Sequence, residues 1–323
     1  MSGRPVISGP AASGPVISGP ATSGPDVGGP ALGDPAFVAR RYKREHGHSY
    51  AFGAAPTIEL LRRRPDLAIK VYVRHSYAAR DPSCDIRGLC AELGVPCEAG
   101  DKAFNRVGAK ESEHVLGAFR KPAEGLDEGA RHVALVNPAD AGNLGTILRT
   151  GAGFGFMDFV VVCPGVDVFD PKAVRASMGA VFHCRYLYVD SFEQYMRGRA
   201  GRPIIAFMLD GRNSLEQAAR SVAEPAAEQN AAAQNVATQN APADGAEAPA
   251  EVRGLDGAST NATASGSVGA YTLVFGNEAT GLPERFLDYG MSVVIPHKPL
   301  IDSLSLPVAF GIAAHALSRP NVM

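Results

Sequence analysis

"NPADAGNLGTILRTGAGFGF", residues 137–156, sets two asparagines, one arginine and five glycines between apolar positions. It reads as the start of a buried helix, with helix expected over 143–153. Glycines this dense in such a segment mean that something approaches the main chain closely. What approaches it depends on the rest of the chain.

The protein has 323 residues, 46% hydrophobic and 20% charged. That is an ordinary globular composition, with enough chain for two domains. No apolar run reaches membrane-spanning length, so no membrane association is expected. The N-terminus has neither a basic start nor an apolar core, so no signal peptide is expected and the cytoplasm is the simplest compartment. Five cysteines without a CxxC pair read as reduced, buried thiols. The spacing of Cys84, Cys90 and Cys97 suits no common zinc site, so no metal is expected.

Composition divides the chain into a tail, 1–35, a small α/β unit, 36–125, and a larger domain, 126–323, interrupted at about 218–268. The tail carries proline at every fifth position from Pro5 to Pro35 and too little apolar surface to offset the entropy of ordering. The interruption is rich in Ala, Gln, Asn and Pro and reads as disordered as well. Elsewhere helical and extended patterns alternate. "LAIKVYVRH" and "VPCEAG" fall in the small unit. "RHVALVN", "DFVVVC", "CRYLYV", "RPIIAFML", "AYTLVFG" and "MSVVIPH" follow, then a terminal helix from about 305. Apolar strands alternating with helices argue a mostly parallel sheet covered on both faces. Residues 36–125 hold 16 Lys+Arg against 11 Asp+Glu in a chain of net charge −2. That excess fits solvated helix faces first and a polyanion footprint as the sharper alternative, and charge alone does not decide between them.

Common nucleotide signatures fail. "GAGFG" follows a helix-like stretch, where a dinucleotide fingerprint follows a strand. Neither G-x-x-x-x-G-K-[ST] nor H-E-x-x-H occurs.

Three motifs fit together in order. The opening stretch is followed by "LVFGNEATGLP" (273–283) and then by "VIPHKPLIDSLSLPVAFGIAAHAL" (294–317), with "DPKAVRASMGAVF" (170–182) between the first two. This set resembles the SpoU/TrmH branch of the SPOUT RNA methyltransferases. The small unit resembles the RNA-binding domain that often precedes that catalytic domain. The resemblance implies an α/β fold with a trefoil knot near the C-terminal end, a homodimer, and S-adenosyl-L-methionine held by the knotted loops. It implies cofactor contacts at Gly276, Gly281, Ile295, Pro296 and Leu304, with glycine at 276 and 281 leaving room for the ligand. Asn143, Arg149 and Glu278 are its implied catalytic residues, and Arg149, Ser303 and Ser305 its implied substrate contacts.

A ribose 2′-hydroxyl is a poor nucleophile, so positioning and a nearby cation must lower the barrier. Arg149 suits a phosphate clamp and alkoxide stabiliser, because guanidinium does not act as a base. Asn143 is placed to orient Arg149 or the ribose, and Glu278 to pair with Arg149 or order the cofactor loop. Ser305 stands where the family usually has asparagine; it can cap the terminal helix but has the shorter reach. His297 stands where methionine is more usual, and reads as a structural loop histidine. The expected activity is 2′-O-methylation of rRNA or tRNA, with RNA and no DNA as partner. A catalytically silent RNA-binding protein of the same fold is the alternative, and an enzyme using another nucleotide cofactor on a small molecule is a second.

Overall fold

The computed structural model describes residues 32–77, 85–223 and 269–318. Most of the tail and of the interruption lies outside these residues. Gly33 already belongs to the small domain, where its N–H donates to the Ala68 carbonyl at 3.1 Å.

The small domain holds a four-stranded sheet in the order β1 (His48–Phe52), β4 (Val115–Arg120), β2 (Ala68–Val73), β3 (Cys97–Ala99). β4 runs antiparallel to both β1 and β2, and β3 runs parallel to β2. Helices α1 (Ala54–Arg63), α2 (Ile86–Leu93) and α3 (Lys102–Val107) cover it. β1 and β4 escape a pattern search because they are buried along nearly their whole length, His48 and Ser49 included. A strand buried on both faces shows no alternation.

The larger domain is a six-stranded, all-parallel sheet in the order β10-β8-β9-β5-β6-β7. Its strands are β5 (His132–Val136), β6 (Asp158–Val162), β7 (Arg185–Val189), β8 (Ile204–Phe207), β9 (Thr272–Phe275) and β10 (Met291–Val293). The central strands are continuous apolar runs, as a sheet covered on both faces requires. Helices α4 (Ala141–Gly153), α5 (Pro171–Ala176), α6 (Phe192–Met196) and α8 (Leu306–Ser318) flank it, and 215–223 forms α7. The low-complexity stretch therefore does not begin at 218: Ala218 and Val222 are buried. Ser214 and Gln217 start α7 with a reciprocal capping box, Gln217 N–H to Ser214 Oγ at 3.3 Å and Ser214 N–H to Gln217 Oε1 at 2.7 Å.

After β8 the chain passes over the end of β10. The N–H of Met208 donates to the Val293 carbonyl, that of Asn213 to Ser292, and that of Val294 to Asn213. At Gly211 a Cβ would overlap the backbone of Val293 and Val294. The two domains share one apolar core, with Phe119 of β4 edge-on to Phe182 at 4.9 Å and to Phe169 at 6.1 Å. Cys90 and Cys184 are buried, Cys163 is half-buried and Cys97 is exposed, which corrects the expectation of uniformly buried thiols; all four are free. No metal-binding cluster occurs among the described residues, and none of their helices is long and apolar enough to cross a membrane.

Candidate active site

Helix α4 starts at the carboxyl end of β5, after a sharp turn at Asn137, whose φ is +53°. Asp140 caps it, its Oδ1 accepting from the Asn143 N–H at 2.8 Å. Lys172 holds the other oxygen of Asp140 at 2.8 Å.

The second motif is bound directly to this helix start. Glu278 Oε2 accepts from the Ala139 N–H at 3.0 Å, and Oε1 accepts from the Asp140 N–H and from Asn143 Nδ2, both at 3.2 Å. Partial burial works to raise the Glu278 pKa, but hydrogen bonds from the main-chain N–H groups of Glu278 itself, Ala139 and Asp140 and from the Asn143 amide hold it below the usual carboxylate range. Asn277 fastens the same loop. Its Nδ2 donates to the Asn137 carbonyl at 2.8 Å and its Oδ1 accepts from the Ala279 N–H at 2.9 Å. Sequence reading missed Asn137, Asp140, Lys172 and Asn277. Asp140 carried a usable signal as an N-cap residue directly before the helix.

Asn143 and Glu278 therefore meet, as the first two motifs must if they serve one site. Arg149 does not join them. It stands exposed six residues along α4, about 9 Å by helical rise, with no hydrogen bond or ion pair among the described residues. Glu278 spends its oxygens on the helix start, so the alternative in which it pairs with Arg149 is not the arrangement formed.

The glycines have other partners than a ligand. At Gly145 a Cβ would overlap the Ala173 carbonyl and come within 2.6 Å of the Ala176 Cβ on α5. At Gly151 it would lie 2.6 Å from the Phe159 ring and 3.4 Å from that of Phe310 on α8. The neighbours that approach the opening stretch are thus β6, α5 and α8. Gly276 is fixed by its own loop, since a Cβ there would overlap the backbone of Gly281 and Leu282. Gly281 has open space around it, but its φ of +66° favours glycine.

In the third motif Ile295 and Leu304 are half-buried, while Pro296, Ser303 and Ser305 are exposed. The Ile295 carbonyl faces His297 Nδ1 at 3.1 Å, so His297 is indeed engaged within its loop. Ser305 enters α8 through its carbonyl, which accepts from the Val308 and Ala309 N–H groups. Among the described residues, no hydrogen bond joins Ser303 or Ser305 to Asn143, Arg149 or Glu278. A recess of about 180 Å³ borders the second-motif loop, lined by Asn137, Cys163, Asp190, Thr280, Gly281 and Arg285 among others. It is smaller than the roughly 300–1,000 Å³ of most small-molecule sites.

Parallel α/β sheets bind ligands outside the carboxyl ends of their strands, where this protein gathers its polar loops, and comparison with known proteins narrows the class. The sequence profile of the SpoU rRNA Methylase family matches residues 130–315. The protein belongs to that family. The 23S rRNA (adenosine(1067)-2′-O)-methyltransferase of Streptomyces laurentii is 25% identical over 249 residues, covering 74% of this chain and 73% of the relative. The 23S rRNA (uridine(2479)-2′-O)-methyltransferase of Streptomyces viridochromogenes is 33% identical over 101 residues, 28% of this chain and 35% of the relative. Among solved structures, the AdoMet-bound rRNA methyltransferase of Sinorhizobium meliloti superposes with a TM-score of 0.57 at 22% identity, over 84% of this chain and 87% of that one. The SpoU methyltransferase AviRb of Streptomyces viridochromogenes, in complex with AdoMet, gives 0.59 at 17% identity, over 84% and 90%. At these identities the two structures speak for the fold.

Proposed function

We propose that this protein transfers a methyl group from S-adenosyl-L-methionine to a ribose 2′-hydroxyl of rRNA. The observation that carries the reading is the direct bonding of the first and second motifs, Asn143 to Glu278, on the helix that also presents an unpaired, exposed Arg149. Family membership and the names of the relatives point to the same chemistry.

The residues at the ends of β8, β9 and β10 suit the cofactor. Phe207 pairs with Val293, so Leu209 and Ile295 follow at neighbouring strand ends. Leu209 is 64% exposed, Ile295 and Leu304 are half-buried, and these residues, with the backbone of 276–281, would hold the cofactor. The cofactor supplies an electrophilic methyl group on a sulfonium centre. Arg149 holds a phosphate and offers its fixed fork of N–H donors to the developing alkoxide. Glu278, ionised and committed to main-chain N–H groups, organises the helix start, and Asn143 sets the ribose edge of the site. Ser303 and Ser305, exposed at the entrance to α8, are the substrate-facing side chains of the third motif.

Three further elements belong to this reading. The passage of 208–213 over β10 is the crossing from which we infer the trefoil knot. Helix α8 exposes Val308 (50%) and Ile312 (37%) one turn apart, with Leu300 (89%) and Ile301 (52%) in the preceding loop; an apolar patch of this kind fits a homodimer interface. The small domain would grip RNA, and a cytoplasmic location is compatible with an rRNA substrate.

The test is transfer of labelled methyl groups to 23S rRNA fragments, with ribose methylation mapped by primer extension. A single protected 2′-O position is expected. RNA binding without transfer, under conditions where the cofactor binds, would instead make this a catalytically silent RNA-binding protein.

A further inference from the structure

Asp167 lies in the loop between β6 and α5, outside every motif, and its side chain is 9% exposed. Its carboxylate is nonetheless the meeting point of the two domains. Oδ2 accepts from Tyr42 Oη at 2.6 Å and Lys121 Nζ at 2.7 Å, both in the small domain. Oδ1 accepts from Tyr188 Oη at 3.0 Å and the Phe169 N–H at 2.9 Å, both in the large one. Burial works to raise its pKa; the Lys121 ammonium and these hydrogen bonds hold it below the usual range. A buried carboxylate with four donors is a fixed joint.

The loop that carries Asp167 also packs against the turn from which the site starts. Arg44 of the small domain donates to the Gly165 carbonyl at 2.6 Å. The Val166 N–H donates to the Pro138 carbonyl at 2.9 Å, and a Cβ on Gly165 would stand 2.9 Å from the Pro138 ring. The Asn137 carbonyl accepts from Asn277, and the next two N–H groups after Pro138 are those that Glu278 holds. From Lys121 and Tyr42 to Asn143, every step is a packed or hydrogen-bonded contact.

We propose that Asp167 is a positioning residue: it locks the small domain onto the 163–170 loop and through that loop sets the Asn137–Asp140 turn on which Asn143 and Glu278 depend. The small domain is then a fixed jaw, and the span between bound RNA and Arg149 is set by this joint. The catalytic consequence rests on the methyl-transfer reading; the structural one does not.

The experiment compares the native protein with Asp167→Asn, which keeps the shape and removes the charge, and with the milder Tyr42→Phe. Amide hydrogen exchange is followed at Ala139, Asp140 and Asn143. Asp167→Asn should speed exchange there about tenfold through local opening, with the amides of β5 and β9 unchanged, and Tyr42→Phe should do so less. On an active enzyme, turnover at saturating RNA should fall by about tenfold while S-adenosylhomocysteine affinity holds, because small misplacements cost rate before binding. Faster exchange confined to 163–170, with 139–143 as slow as in the native protein, would overturn the proposal. Exchange requires neither RNA nor cofactor, so a native protein without methyl transfer would sink the functional reading and leave this test standing. Should Asp167→Asn not fold, Tyr42→Phe decides by the same readout.

Discussion

The two ends of the six-stranded sheet treat their polar residues in opposite ways. At the entry end, where the strands begin, Asp158 is fully buried and takes a two-pronged contact from Arg185, both at 2.7 Å, plus the Asp127 N–H at 2.8 Å. Beside it Arg202 reaches the Tyr271 carbonyl at 3.0 Å and Thr272 Oγ1 at 2.7 Å. His132 and Tyr195 lie 2.8 Å apart, and burial pushes the His132 pKa down. These groups saturate one another. At the exit end Asn137 and Thr280 are exposed and Asn143 is held on one side only, while Arg149 stands exposed farther along the helix that starts there. Polar residues there are anchored and still leave donors and acceptors outward. The first arrangement stabilises; the second is available for ligands.

The sharpest way to break this contrast is Arg149→Ala. Methyl transfer should fall by roughly 10²–10³-fold, the usual loss for a donor aimed at developing charge, with the melting temperature unmoved. A variant as active as the native protein would remove Arg149 from the chemistry. Asp158→Ala should do the reverse. Breaking a buried, bidentate pair costs about 3 kcal/mol, read by denaturant unfolding, while the folded fraction keeps native turnover. An Asp158 variant with full stability would show that the entry end is not the brace it is taken for.

Gly145→Ala sharpens the comparison because it touches both properties. The new methyl group must force α4 away from Ala173 and Ala176, costing about 1–3 kcal/mol, and it tilts the helix that carries Asn143 and Arg149. Stability and turnover should fall together; a fall in one alone would separate them. The smallest effect is expected from replacing 224–268 with a short Gly/Ser linker. Loop closure depends only logarithmically on length, so unfolding and turnover should match the native protein, and RNA affinity should stay level or rise slightly at low salt. Aggregation of that variant would assign the segment a structural part.

The large domain was legible because its strands are uninterrupted apolar runs and its helices begin at readable caps. The small domain was less so: β1 and β4 bury His48, Ser49 and Gly117 among apolar neighbours and show no period. The motif residues were visible, but the reasons for them were not. Gly276 also leaves room for the backbone of Gly281 and Leu282, and Gly145 for helix α5, and a sequence does not show which atoms will crowd such a position. Asp167 was invisible for a similar reason, since its partners lie as far away as Tyr42.

Helix α8 has a consequence in time. Phe310 sits edge-on to Phe156 at 6.2 Å and to Phe275 at 5.5 Å, and Gly151 of α4 lies against its ring. During synthesis α4 and strands β5 and β6 emerge long before α8 exists. Their apolar face waits bare while the rest of the domain, the long interruption included, is made. Such late, non-local closure is slow and leaves the nascent chain open to aggregation. The interval is lengthened by every residue between β8 and β9, so the same insertion that weighs little on the finished fold weighs on its birth.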